Sequence, residues 1–340
     1  MHTTLIDAHE LYQLLEGSLT NTPPTLASTM PQDAASIMDS STHTPDNTPT
    51  STDTPSHDRH NQAQQCPSGN IVILDASFDL GNPQHGQQQF LSQHIPGAQF
   101  IDLDKHLSAQ ADDPPLSGGR HPLPSRERFA QTVARFGITP QTQVVVYDRN
   151  ASAFCVRVWW MLNYLGHSGV AVLDGGLRAW TEAGLPVEQG EGCVPSIPEA
   201  PYPVGTPLVS LWTTKDVKDN IDVGTHVLLD ARAKERYRGD TEPMDPRAGH
   251  IPGARSRPMT ELFDDDGRFK SASELKENII STTKGYGTDN AVVYCGSGVS
   301  ATPGVLAAKI AQVPLPALYA GSFSEWSREE DTEVHTGDEL

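Results

Sequence analysis

A chain of 340 residues holds about two domains at the usual size of roughly 150 residues each. Its 24 Lys and Arg stand against 43 Asp and Glu, and a formal charge of −19 disfavours nucleic acid and anionic membrane surfaces as partners. No apolar run comes near the ~20 residues of a membrane span, and residues 1–10 lack the apolar stretch of a secretory signal.

Residues 5–16 (LIDAHELYQLLE) place Leu5, Ala8, Leu11, Leu14 and Leu15 at helical spacing, with Asp7 in position to cap the helix. The character then changes: 25 of the 52 residues in 18–69 are Ser, Thr or Pro, and no apolar periodicity survives. Such a stretch cannot bury enough surface to offset chain entropy, which predicts a disordered insertion serving as a linker. Order is expected to resume at 71–74 (IVIL), a β-branched run followed by Asp75.

From there the chain repeats itself. IVILDASFD, HIPGAQFIDLD, VVVYDRNAS and LDGGLRAW between 71 and 180 return as HVLLDARAK, GHIPGARSRP, AVVYCGSGVS and LYAGSFSEW between 226 and 326. Order and spacing are kept, which marks a duplicated domain. Helical patterns at 126–136 and Cys155–Leu165 in the first copy, and at 273–280 and 304–311 in the second, separate the apolar strands. Strands apolar on both faces and separated by helices predict an α/β fold: two tandem domains, each a parallel sheet flanked by helices. The expected boundaries are 4–187 for the first domain, 188–206 for a Pro-rich linker, 207–330 for the second domain and 331–340 for a tail.

Ligands of open α/β sheets gather beyond the C-terminal strand ends. There the repeats place Asp148 and Cys295 at the same position, directly after VVVY and AVVY. Gly296 and Gly298 let the loop curl so that successive N–H groups converge on the sulfur, and a helix beginning near Pro303 adds its positive end. Those donors favour a thiolate, hence a nucleophilic cysteine in the second copy and a silent first copy. The remaining cysteines (Cys66, Cys155, Cys193) form no C-x-x-C pair and read as free thiols. This argues against a zinc site or disulfide framework and for a reducing, cytoplasmic setting. His94 and His250 of the HIPGA blocks lack partners at ligand spacing and read as turn residues. Trp159, Trp160, Trp180 and Trp326 read as core.

HIPGA twice, RYRG at 236–239, CGSGVS at 295–300 and two G-[GS]-x-x-x-W blocks make the chain resemble tandem-domain rhodanese-type sulfurtransferases, leaving 18–69 outside the resemblance. The resemblance implies a cysteine that takes a sulfane sulfur, becomes a persulfide and passes the sulfur to a thiol, a thioredoxin-like protein or cyanide. Gly296-Ser297-Gly298-Val299-Ser300 is similar to the loop of the mercaptopyruvate group, with Ser300 for the usual Thr. Thiosulfate-preferring members carry basic residues after the cysteine, which suit a dianion better than a monocarboxylate. Transferred by motif, Ser297 relays a proton, His121 (RHPLP) orients it and Asp104 (IDLD) fixes the tautomer. Arg236 and Arg247 would bind the substrate carboxylate, with Arg238 in reserve.

The reaction expected is sulfur transfer from 3-mercaptopyruvate through a Cys295 persulfide, with no metal or organic cofactor required. Thiosulfate as donor and a non-catalytic persulfide carrier are the alternatives. Phosphatases that share such a sheet end their loop in arginine, and residues 296–300 contain none.

Overall fold

The short β-branched runs assemble into two five-stranded parallel sheets in the computed structural model, which describes residues 1–20, 66 and 70–338. Strands β1 (Leu5–Ile6), β2 (Ile71–Asp75), β3 (Ala98–Phe100), β4 (Gln143–Tyr147) and β5 (Val170–Leu173) build the first, in the order β1-β5-β4-β2-β3. Strands β6 (Leu211–Trp212), β7 (Val227–Asp230), β8 (Arg255–Ser256), β9 (Ala291–Tyr294) and β10 (Ala317–Tyr319) build the second, in the order β6-β10-β9-β7-β8. Strand for strand the two orders are the same, so the duplication seen in sequence is also a duplication of topology. Every residue of β2, β4, β7 and β9 is buried, as expected where helices cover both sheet faces.

One core serves both domains. Val144, Val146, Trp159 and Leu162 of the first copy share a cluster with Val293, Val299, Val305 and Leu306 of the second. Helix Cys155–Leu165 packs on helix Thr302–Ile310 at the seam, where the Lys309 ammonium lies 5.2 Å from the Trp159 ring. The outer sheet faces have their own clusters, around Trp180 in one domain and Trp326 in the other. Trp159, Trp160, Trp180 and Trp326 are fully buried.

The two HIPGA histidines play matching parts. His94 and His250 stack on Phe90 and Tyr237, and their Nδ1 atoms lie 2.8 Å from the carbonyls of those same residues. Their N–H groups donate to the carbonyls of Glu188 and His335, fastening the segment after each domain onto its sheet.

Three local expectations need correction. Leu5–Ile6 is a strand, paired with β5, and helix Ala8–Thr20 starts beyond it. Asp7 does cap that helix, accepting from Glu10 N at 2.8 Å. The helix also runs through Thr20, into the start of the Ser/Thr/Pro-rich stretch; the rest of the predicted insertion, apart from Cys66, lies outside the described residues. Cys66 is not a free thiol: it is disulfide-bonded to Cys193, leaving Cys155 and Cys295 free. A bond across 127 residues of chain leaves no spacing signal, and with it the cysteine argument for a reducing compartment falls.

Candidate active site

Strand β9 delivers Cys295 to the C-terminal edge of the second sheet, and the Gly-Ser helix block after β10 fixes the first peptides of the loop. Cys295 N donates to Ser322 Oγ at 3.1 Å, while the Cys295 and Gly296 carbonyls accept from Phe323 and Ser324 N at 3.0 and 2.8 Å. Gly298 takes φ +72°, and a Cβ there would collide with the Ala320 carbonyl. From the first domain the buried Arg157 reaches across to the Ser297 and Gly298 carbonyls at 3.4 and 3.1 Å, and to those of Leu107 and His121.

With its carbonyls held in this way, the loop's amides of residues 296–300 donate to no protein acceptor among the described residues. Val299 is buried and Ser300 half-buried where the chain turns into helix Thr302–Ile310, which carries Pro at its start. Cys295 is only 1% exposed. The Arg157 guanidinium feels it: burial, partly offset by the Cys295 sulfur, lowers the Arg157 pKa to about 10.

The first-copy loop shows what this geometry does with an anion. Asp148, at the position of Cys295, accepts from the amides of Asn150, Ser152, Phe154 and Cys155 at 2.8–3.0 Å. Burial raises its pKa and those four amides work against the rise.

Of the predicted residues, Ser297 and His121 are brought together, with His121 Nδ1 2.7 Å from Ser297 Oγ. Burial, then the charges of Arg157 and Arg120, lower the His121 pKa to about 3, so the imidazole is neutral at physiological pH. Asp104 is looser: half-exposed, with Oδ1 3.7 Å from His121 Nε2, beyond direct hydrogen bonding. Desolvation and the neighbouring Asp102 raise its pKa. The helix-capping task at this place belongs to Asp102, which accepts from the amides of Asp104 and Lys105.

Arg236 stands at the loop, its Nε and Nη2 on Glu242 at 3.2 and 2.7 Å. Burial disfavours the Glu242 charge, but Arg236 and the amides of Met244 and Asp245 outweigh it and hold the carboxyl below its usual range. Arg247 does not come to the loop. Its guanidinium is spent on the carbonyls of Trp326, Ser327, Glu329 and Thr332 and on the Thr332 hydroxyl, where it satisfies the exit of helix Ser322–Trp326. Arg238 pairs outward with Asp240 and Asp338.

The cation that comes to the loop instead is Arg120, from the first domain. A Cβ on Gly296 would lie 2.7 Å from Arg120 Nη2 and 3.5 Å from Arg236 Nη1, so two guanidinium nitrogens converge above the residue after the cysteine. Sequence reasoning missed Arg120 and Arg157. A usable signal preceded Arg120: in Gly118-Gly119, side chains would strike Glu325 and Ser324, so the pair lets this segment press onto the second domain. No group of three His, Cys, Asp or Glu side chains able to hold a metal occurs among the described residues, and none of their helices is long and apolar enough to cross a membrane.

A tandem α/β protein with a glycine-bounded cysteine loop, closed over by side chains of its sister domain, is the class that fold and site define. The chain belongs to the rhodanese-like domain family, which matches residues 60–183 and 213–329. It is 41% identical over 271 residues to a "Probable 3-mercaptopyruvate sulfurtransferase" of Pseudomonas aeruginosa, covering 79% of this chain and 93% of that one. It is 34% identical over 263 residues to a thiosulfate sulfurtransferase of Cricetulus griseus, covering 75% and 84%. Among solved structures it resembles SseA of Escherichia coli, a 3-mercaptopyruvate sulfotransferase, with TM-score 0.62 and 32% identity over 75% of this chain and 94% of that one.

Proposed function

We propose that this protein is a sulfurtransferase that takes sulfur from 3-mercaptopyruvate, with the second domain (207–330) catalytic and the first (4–187) silent. The observation that carries the reading is the convergence of Arg120 Nη2 and Arg236 Nη1 above Gly296, one residue from the nucleophile. A planar pair of this kind suits a carboxylate.

In the reaction the Cys295 thiolate attacks the donor's sulfur. The S–S bond forms as the donor's C–S bond breaks, and the electron pair leaves on carbon as the enolate of pyruvate. Ser297, with neutral His121 behind it, passes the donor's thiol proton toward that enolate, and Asp104 faces the far side of the imidazole at 3.7 Å. The remaining Cys–S–S⁻ lies among the amides of residues 296–300, as the Asp148 carboxylate lies among its own. An acceptor thiolate then attacks the outer sulfur, carries it away and restores the Cys295 thiolate.

Thiosulfate is the second reading, favoured by the Cricetulus griseus relative named for it. Steady-state kcat/KM for both donors on one preparation decides between them. An excess for 3-mercaptopyruvate is expected, and an excess for thiosulfate reverses the assignment. Sulfur release that persists in Cys295→Ser would reduce the protein to a carrier or binding module.

A further inference from the structure

Asp245 lies beside the site with a fully buried carboxylate, in the segment between RYRG and the second HIPGA. It receives Arg120 Nη1 from the first domain, Arg236 Nη2 at 3.2 Å and, more distantly, Arg328 Nη1 at 3.6 Å. Each of the two inner guanidiniums is thereby divided. Arg120 gives Nη1 to Asp245 and keeps Nη2 over Gly296; Arg236 gives Nε and Nη2 to Glu242 and Asp245 and keeps Nη1 over Gly296. Asp245 thus aims both nitrogens at the same place.

It also sets the charge they carry. Among the described residues, the connected ion-pair network holds four guanidiniums (Arg120, Arg232, Arg236, Arg328) and three carboxylates (Asp230, Glu242, Asp245). One positive charge is left for the donor. A monocarboxylate cancels it; a dianion overshoots and leaves a net negative charge beside a thiolate.

We propose that Asp245 is the specificity-determining residue of this site, selecting monoanionic over dianionic sulfur donors by neutralising one of the two arginines that receive them. The inference rests on the donor reading above and deepens it, since no direct contact between Asp245 and the donor is needed. Removing its charge strengthens the attraction for a dianion twice as much as for a monoanion, which at these separations amounts to about tenfold in relative preference.

The test reads the ratio of kcat/KM for thiosulfate to that for 3-mercaptopyruvate in the full chain. Asp245→Asn is expected to raise the ratio about tenfold. Asp245→Glu keeps the charge and holds the ratio within about threefold of the original, even if both rates fall. Arg328→Gln removes a half-exposed cation from the same network and lowers the ratio about threefold, a variant expected to fold even if Asp245→Asn does not. A ratio unmoved in Asp245→Asn, an equal shift in Asp245→Asn and Asp245→Glu, or a ratio unchanged or raised in Arg328→Gln overturns the proposal. A wild-type protein that prefers thiosulfate, by contrast, overturns the donor reading itself, while the variant ratios still report on Asp245.

Discussion

Two loops, each the continuation of a buried parallel strand, occupy equivalent places in the two halves of this molecule and differ in what stands at their centre. At Asp148 the anion is built into the chain, and four amides converge on it. At Cys295 the amides of residues 296–300 have no protein acceptor among the described residues, and the side chain at the centre is one that can acquire a negative sulfur. The first loop is a finished electrostatic structure; under the proposed function the second is the same kind of structure and receives its charge as a persulfide. Duplication thus supplies an internal control: what stabilises the fold in one copy is available for chemistry in the other.

The domains also cover each other's loops. The segment before helix Arg126–Arg135 brings Arg120 and His121 onto the Cys295 loop. Reciprocally, the segment before helix Ala272–Thr282 lays Arg268 and Phe269 against Asp174 and Gly175, beside the Asp148 loop. The reciprocal cover of the Cys295 loop delivers cations and an imidazole to a buried sulfur, whereas the cover of the Asp148 loop closes a loop whose anion is already satisfied.

The comparison can be broken most severely at its two centres. Cys295→Ser should lower kcat/KM for either donor by about 10³-fold or more, whereas Cys155→Ser, at a buried thiol remote from the donor mouth, should leave it within about twofold. Asp148→Ala should do the opposite. It leaves four inward amides without their acceptor and should cost about 3 kcal/mol of stability in denaturant unfolding, with turnover per folded molecule nearly unchanged. If Asp148→Ala abolishes turnover in folded protein, the first copy is not silent.

A smaller effect separates the covers. His121 has its pKa lowered from 6.5 to about 3, so the unfolded chain binds the proton that the folded chain refuses. The stability that this provides is present in full above pH 6.5 and is lost as pH falls toward 3; between pH 6.5 and 5 the loss should be about 2 kcal/mol. His121→Asn should flatten that slope in unfolding experiments, with His106 and His167, also lowered by burial, sustaining the remainder. An unchanged slope would mean that His121 is not held neutral.

The smallest effect distinguishes the two candidate arginines. Arg120→Ala should raise KM for 3-mercaptopyruvate about tenfold, worth ~1.4 kcal/mol. Arg247→Ala should leave KM alone and lower the melting temperature, because its guanidinium serves a helix end. The reverse pattern would restore Arg247 to the site.

What the sequence revealed and what it concealed divide along physical lines. The sheets, the duplicated order and the Cys295 loop were legible because each rests on local pattern: buried β-branched runs, glycines at fixed offsets and recurring spacings. The pairing of Ser297 with His121 was legible only through family resemblance, since 176 residues separate them. Leu5–Ile6 is too short for a strand pattern to register. Arg120, Arg157 and the Cys66–Cys193 bond depend on how the halves and distant segments meet, which no local pattern encodes. Arg247 misled because motif matching carries no information about which acceptors a side chain reaches, and the carbonyls after helix Ser322–Trp326 captured it.

The central claim is that position 295 carries a sulfur-borne negative charge that its sister loop carries as a carboxylate. Mass spectrometry of the intact protein and its peptides after brief exposure to 3-mercaptopyruvate tests this most directly. The account predicts one added sulfur atom, confined to the peptide containing Cys295 and absent in Cys295→Ser. An unmodified Cys295 peptide in protein that nevertheless releases pyruvate, or a sulfur carried on Cys155, would contradict it.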